Sequence, residues 1–170
     1  MVPVVPEIFA SGFPPRFLCD EMLGHVCRYL RAAGYDTLFA NSGCRDRELL
    51  LQCQVEGRYF LTQDRLISEH SAARGIALIL PQENLDRLAI LLGEHFHLDW
   101  VARAFTRCLE DNALLHPADA EARKGVPQDV LKPGASLTCC PVCGKVYWQG
   151  SHCRRIYARL SRWQAEQADP

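Results

Sequence analysis

Between residues 16 and 96, short apolar runs alternate four times with amphipathic helical patterns, and no other feature constrains the fold as tightly. "RFLCD" (16–20), "YDTLFA" (35–40), "RYFLT" (58–62) and "IALIL" (76–80) read as strands. Helical patterns follow at 21–34, 46–56, 65–74 and 83–96. In the first of these, Leu23, Val26, Cys27 and Leu30 share one face, and Gly34 ends it as a C-cap. Strands that alternate with helices make parallel pairs, because each crossover returns the chain to the same end of the sheet. A mainly parallel α/β sheet with helices on its faces is therefore expected.

The alternation stops near residue 105, and four segments are expected. Residues 1–15 form an irregular leader, whose four prolines forbid a regular helix or central strand. Residues 16–105 form the α/β domain, 106–163 a smaller module with a basic aromatic end, and 164–170 a tail. With 48% hydrophobic and 23% charged residues, a chain of 170 can bury a core without staples. No basic, apolar export signal opens the chain, and no apolar run approaches the length of a membrane span. The nine cysteines then read as reduced thiols and metal ligands, and a cytoplasmic setting with no membrane partner is expected.

In an open parallel sheet, ligands gather at the carboxyl ends of the strands. Asp20 ends the first strand, Asp64 lies just past the third, and Asp46 opens the helix leading into the third. Carboxylates that converge repel each other unless a cation lies between them. Mg²⁺ or Mn²⁺ suits such a site, and with it phosphodiester hydrolysis. Each acid has a structural reading beside this one: Asp20 and Asp46 as helix caps, Asp64 as a turn residue. Glu21 and Glu48 are possible additional acids.

The net charge of −1 does not mark a nucleic-acid binder, but its distribution is uneven. From Gly144 to Ala165 there is no acid, while Lys145, Arg154, Arg155, Arg159 and Arg162 alternate with Tyr147, Trp148, Tyr157 and Trp163. Such a stretch can hold phosphates and stack on bases, or it can be a helix with its aromatics packed inward. Arg28, Arg31 and Arg65 lie near the acidic edge by sequence and can face an RNA backbone, or each can be a plain surface charge. Cys140-Pro-Val-Cys143-Gly144 is a metal knuckle in form. Its upstream partner is Cys108-Leu-Glu-Asp111, with Asp111 where a second cysteine would stand. His116 and His152 are rivals for the fourth ligand.

"FLCDEMLGHVCRYLRAAGYDTLFA", "DRELLLQCQVEGRYFLTQDR" and "CPVCGKVYWQGSH" resemble, in that order, the signatures of the Mut7-C RNase family, a branch of the PIN-like nucleases. The resemblance covers roughly residues 16–160. It implies a three-layer α/β/α fold, a Mg²⁺- or Mn²⁺-dependent ribonuclease with Asp20, Asp46 and Asp64 at its site, and a C-terminal zinc ribbon. Zn²⁺ would be held by Cys108, Asp111, Cys140 and Cys143. The chain departs from the wider pattern by lacking a clear fourth acid on a middle helix. The runner-up reading is a non-catalytic RNA-binding or adaptor protein that retains the PIN-like fold.

Overall fold

The computed structural model describes residues 13–40, 43–131 and 134–168; most of the expected leader and the last two residues lie outside them. Four parallel strands form the central sheet: β1 (Phe17–Cys19), β2 (Thr37–Phe39), β3 (Tyr59–Thr62) and β4 (Ala77–Ile79). Their order is β2-β1-β3-β4. The chain steps from β1 to one side for β2, then crosses back to the other side for β3. The strand order therefore reverses between β1 and β3, and ligands of parallel sheets bind at the carboxyl ends of strands at such a point. The register pairs Cys19 with Leu61, so Asp20 and Thr62 come next on adjacent strands.

Helices cover both faces. On one side lie α1 (Gly24–Ala32), α3 (Leu85–Phe96) and the long α5 (Ser151–Ala168). Val26, Cys27 and Leu30 of α1 meet Leu88 and Leu92 of α3, and both pack on Phe17, Cys19 and Leu61 of the sheet. On the other side α2 (Asp46–Glu56) sets Leu49, Leu50 and Cys53 against Leu18 and Phe60. Alternate strand residues thus feed opposite cores, as the period of two requires. The expected α/β/α layering is what the chain adopts. The helix expected over 65–74 is instead two 3₁₀ turns, Arg65–Glu69 and Ser71–Ala73. The His70 N–H bonds the Ile67 carbonyl and closes the first turn after only five residues.

The C-terminal module holds a three-stranded antiparallel sheet in the order β5 (His116–Pro117), β6 (Thr138–Cys139) and β7 (Val146–Tyr147), with a short helix α4 (Ala120–Lys124) between β5 and β6. It has a small core of its own in Ala118, Val126 and Leu137. The main core nevertheless runs on from the sheet through α1 and α3 to Cys108, Leu109, Cys140, Tyr147 and Trp163. Among the described residues, no helix is long and apolar enough to cross a membrane.

Candidate functional site

The carboxyl edge of the sheet orders two carboxylates through one buried hydroxyl. Asp20 extends the β1 ladder, its N–H bonding the Leu61 carbonyl at 2.9 Å. Its Oδ1 accepts from the Glu21 N–H at 2.7 Å, and its Oδ2 accepts from Thr62 Oγ1 at 2.7 Å. The same Thr62 oxygen accepts the Asp64 N–H at 3.0 Å. Thr62 is fully buried, so its hydroxyl has a fixed geometry, and it ties the loop carrying Asp64 to Asp20. Asp64 Oδ1 accepts from the Leu66 N–H at 2.8 Å. Strand patterning alone treats Thr62 as ordinary; its place two before Asp64 is the signal that marks its bonds to both aspartates.

Asp46 is the first residue of α2 and is exposed. It is not the helix cap, because Arg45 occupies that position without a side-chain cap bond. Glu48 lies exposed in the same first turn, and Glu21 lies exposed beside Asp20. Among the described residues, Asp20, Asp46 and Asp64 do not come within 4.8 Å of one another as a ligand group. Asp20 and Asp64 are joined through Thr62.

The group that does converge is the cysteine set. Ligand atoms of Cys108, Asp111, Cys140 and Cys143 all lie within 4.8 Å of one another. Cys108 Sγ and Cys143 Sγ are 3.6 Å apart, near the ~3.8 Å that two sulfurs about 2.3 Å from a tetrahedral zinc would show. Cys140 Sγ lies 3.1 and 3.3 Å from the Asp111 carboxylate oxygens. His116 and His152 are outside this group, as is Cys139, which sits in β6.

The two halves of the cluster share one backbone design. In the downstream knuckle the Cys140 N–H bonds the Lys145 carbonyl, the Gly144 N–H bonds the Cys140 carbonyl, and Gly144 has φ +72°. In the upstream half the Cys108 N–H bonds the Ala113 carbonyl, the Asn112 N–H bonds the Cys108 carbonyl, and Asn112 has φ +71°. Asn is among the few side chains that tolerate this left-handed conformation. Asn112 therefore does for Asp111 what Gly144 does for Cys143. The Val142 and Cys143 N–H groups aim at Cys140 Sγ from 3.4 and 3.5 Å.

Without a cation the cluster is one carboxylate ringed by thiols. Burial opposes ionisation of Asp111, but the Ala113 N–H and the three thiols hold its carboxyl down at about 2. Against a lowering bond from the Lys145 N–H, burial and Asp111 push the Cys143 thiol up to about 12. A divalent cation would displace those thiol protons. The donor set of three sulfurs and one oxygen fits a closed tetrahedral structural ion.

The upstream knuckle is fastened to the α/β layer by polar groups that sequence reading did not assign. Asn112 Oδ1 accepts the Thr37 N–H, and its Nδ2 donates to Asp36 Oδ1 at 2.7 Å. Asp36 also pairs with buried Arg58 at 2.8 Å and with Arg16. Burial opposes its ionisation, yet these partners hold its carboxyl well below the ordinary range. Tyr147 Oη accepts the Leu109 N–H at 3.0 Å and lies 3.2 Å from Cys108 Sγ.

Arg31, expected to face a bound backbone, is buried instead. Its guanidinium donates to the carbonyls of Thr37, Leu109 and Glu110, so it ties α1 to the knuckle and is unavailable to RNA. Arg28 and Lys145 both pair with Glu110, at 3.0 and 2.7 Å. Arg65 stands exposed beside Asp64, and Arg154 and Arg155 are exposed on α5. The inward reading holds for Trp163, which is fully buried against Trp100 and Tyr29, and for Tyr147.

A model of the Mut7-C RNAse domain family matches residues 15–160 of the chain. No curated protein and no solved structure matches it.

Proposed function

Since the chain belongs to the Mut7-C RNase domain family, we propose that it is a ribonuclease that hydrolyses RNA phosphodiester bonds at the Asp20–Asp64 edge with a divalent metal. The observation that carries this reading is the buried Thr62 hydroxyl, which bonds Asp20 and the Asp64 backbone at the strand ends where the order of the sheet reverses. Mg²⁺ keeps several waters and needs only one or two protein carboxylates, which is what Asp20 and Asp64 offer. Such an ion, when bound, activates water and offsets charge on the leaving oxygen. Asp20 and Asp64 each spend oxygen atoms on backbone or hydroxyl donors, which fixes their direction while lone pairs remain for the ion. Asp46, with Glu48 in the same turn and Glu21 beside Asp20, would act through water from further out. Arg65, Arg154 and Arg155 are the exposed cations suited to RNA phosphates.

The cluster of Cys108, Asp111, Cys140 and Cys143 would hold a structural Zn²⁺ and take no part in the chemistry. A second reading, a non-catalytic RNA-binding or adaptor protein, is favoured by one observation. Asp20 and Asp64 already make the helix-cap and turn bonds of ordinary structural aspartates. Cleavage of a labelled single-stranded RNA separates the two. Hydrolysis that needs added Mn²⁺ or Mg²⁺ and is lost in Asp64→Asn supports the ribonuclease; RNA binding without hydrolysis supports the adaptor.

A further inference from the structure

Between the loop after α3, the β6–β7 hairpin and α5 lies a cavity of about 640 Å³. That falls within the roughly 300–1,000 Å³ typical of small-molecule sites. Neither the proposed catalytic aspartates nor the four metal-ligand candidates line it. Phe105, Tyr147, Trp148 and Tyr157 do.

Three of these rings are held in place. Tyr147 has its hydroxyl engaged at Leu109 and Cys108, so its ring is what remains for the cavity wall. Trp148 lies against Gly150, where an added Cβ would come 2.7 Å from the indole Nε1. Phe105 has φ +59°, a left-handed conformation rare for a bulky residue, and its N–H is fastened to the Ala32 carbonyl at 2.8 Å. Strain of that kind clusters at ligand sites.

The polar lining narrows the occupant. Ser136, Thr138 and Gln149 supply donors and acceptors. Arg154 is the one charged lining residue; it is exposed and makes no ion pair among the described residues. No acid lines the cavity, which disfavours a cationic ligand. An acyl chain would leave the polar groups unpartnered. A planar ring with hydrogen-bonding edges and an attached anion satisfies all of them.

From this we infer that the cavity binds one unpaired nucleotide of an RNA, its base against the Trp148 and Tyr157 rings and its phosphate at Arg154. The ligand class rests on the ribonuclease reading; the site itself is separate from the aspartate edge.

The test titrates nucleoside monophosphates into the full chain and follows tryptophan fluorescence. Of the three tryptophans, Trp100 and Trp163 are 1% and 0% exposed, so Trp148 is the reporter. Saturable quenching is expected. Tyr157→Ala should weaken it about ten-fold, the scale of one lost base stack. Arg154→Ala should bring the monophosphate down to the affinity of the nucleoside. Both substitutions place a good helix former on an exposed face of α5, so folding is preserved. Quenching that never saturates, or wild-type affinity in both variants, overturns the inference. Asp64→Asn should bind as the wild type does. Loss of cleavage in Asp64→Asn without saturable quenching removes the pocket alone. Saturable quenching in a protein that cleaves no RNA removes the ribonuclease and leaves the pocket.

Discussion

At the scale of single residues, the two proposed sites turn on Asp111 and Thr62. Asp111 stands on a knuckle backbone that Asn112 completes with its left-handed φ of +71°. The geometry is that of a cysteine ligand with an oxygen in its place. Asp111→Ala should therefore lower zinc affinity by more than the roughly 10–100-fold that loss of an outer partner costs. Asp111→Cys should retain the ion. Elemental analysis of the purified proteins measures both, and equal zinc in wild type and Asp111→Ala would exclude Asp111 as a ligand. Thr62→Val keeps the side-chain shape but removes the hydroxyl that Asp20 and Asp64 share. We expect RNA cleavage to fall about ten- to a hundred-fold, as misplaced catalytic groups do. The newly unpartnered Asp64 N–H should also cost about 1–3 kcal/mol of stability. An unchanged rate would mean that the shared hydroxyl does not position the acids. The place of Asp111 could be read from the sequence. The burial of Arg31 could not, because the carbonyls that capture it belong to Leu109 and Glu110, 78 and 79 residues away.

Among the elements, α5 is the one whose role changes most between pattern and structure. Its composition allows either a basic, aromatic RNA-facing surface or a helix with its aromatics packed inward, and the structure shows part of its work to be internal. Trp163 packs edge-on to Trp100 and Tyr29, and its indole N–H donates to Asp86 at 2.8 Å. Asp86, in the first turn of α3, also receives Arg159 and Arg162. Hydrogen bonding from Arg159 leads the effects that hold its carboxyl at about 2, against the opposing effect of burial. An unfolded Asp titrates near ~3.9, so this contribution is full above about pH 4 and is lost as pH falls through 2. Discounted for solvent screening, it is on the order of 1 kcal/mol. Acid-unfolding curves of the wild type and Asp86→Asn should therefore converge between pH 4 and 2. A constant gap across that window would contradict the pairing. The helical pattern over 83–96 is legible in the sequence, but that Asp86 of α3 and Trp163 of α5 meet depends on tertiary packing. The 65–74 segment failed as a helix for a local reason: its first turn closes on itself at His70.

Over the whole molecule, the sequence pattern divides at residue 105 but the main core does not. Phe17 and Leu61 of the sheet belong to the same apolar cluster as Cys140 and Tyr147 of the ribbon. Parallel strands and two-sided helices followed from the alternation alone, because crossover connections allow little else. The order β2-β1-β3-β4 did not, since no residue in a short buried strand names its neighbour. That order matters for the proposed function: it puts β1 beside β3, and so Asp20 beside Thr62, whose hydroxyl also holds the Asp64 backbone. The most direct test of the account is the rate of Mn²⁺-supported RNA cleavage by the wild type and by Asp20→Asn and Asp64→Asn, at matched folded content by circular dichroism. The account predicts hydrolysis by the wild type and a loss of at least about 100-fold in each variant, the scale of a lost catalytic group. Equal rates in all three proteins, or no hydrolysis by a folded, metal-supplied wild type, would contradict it.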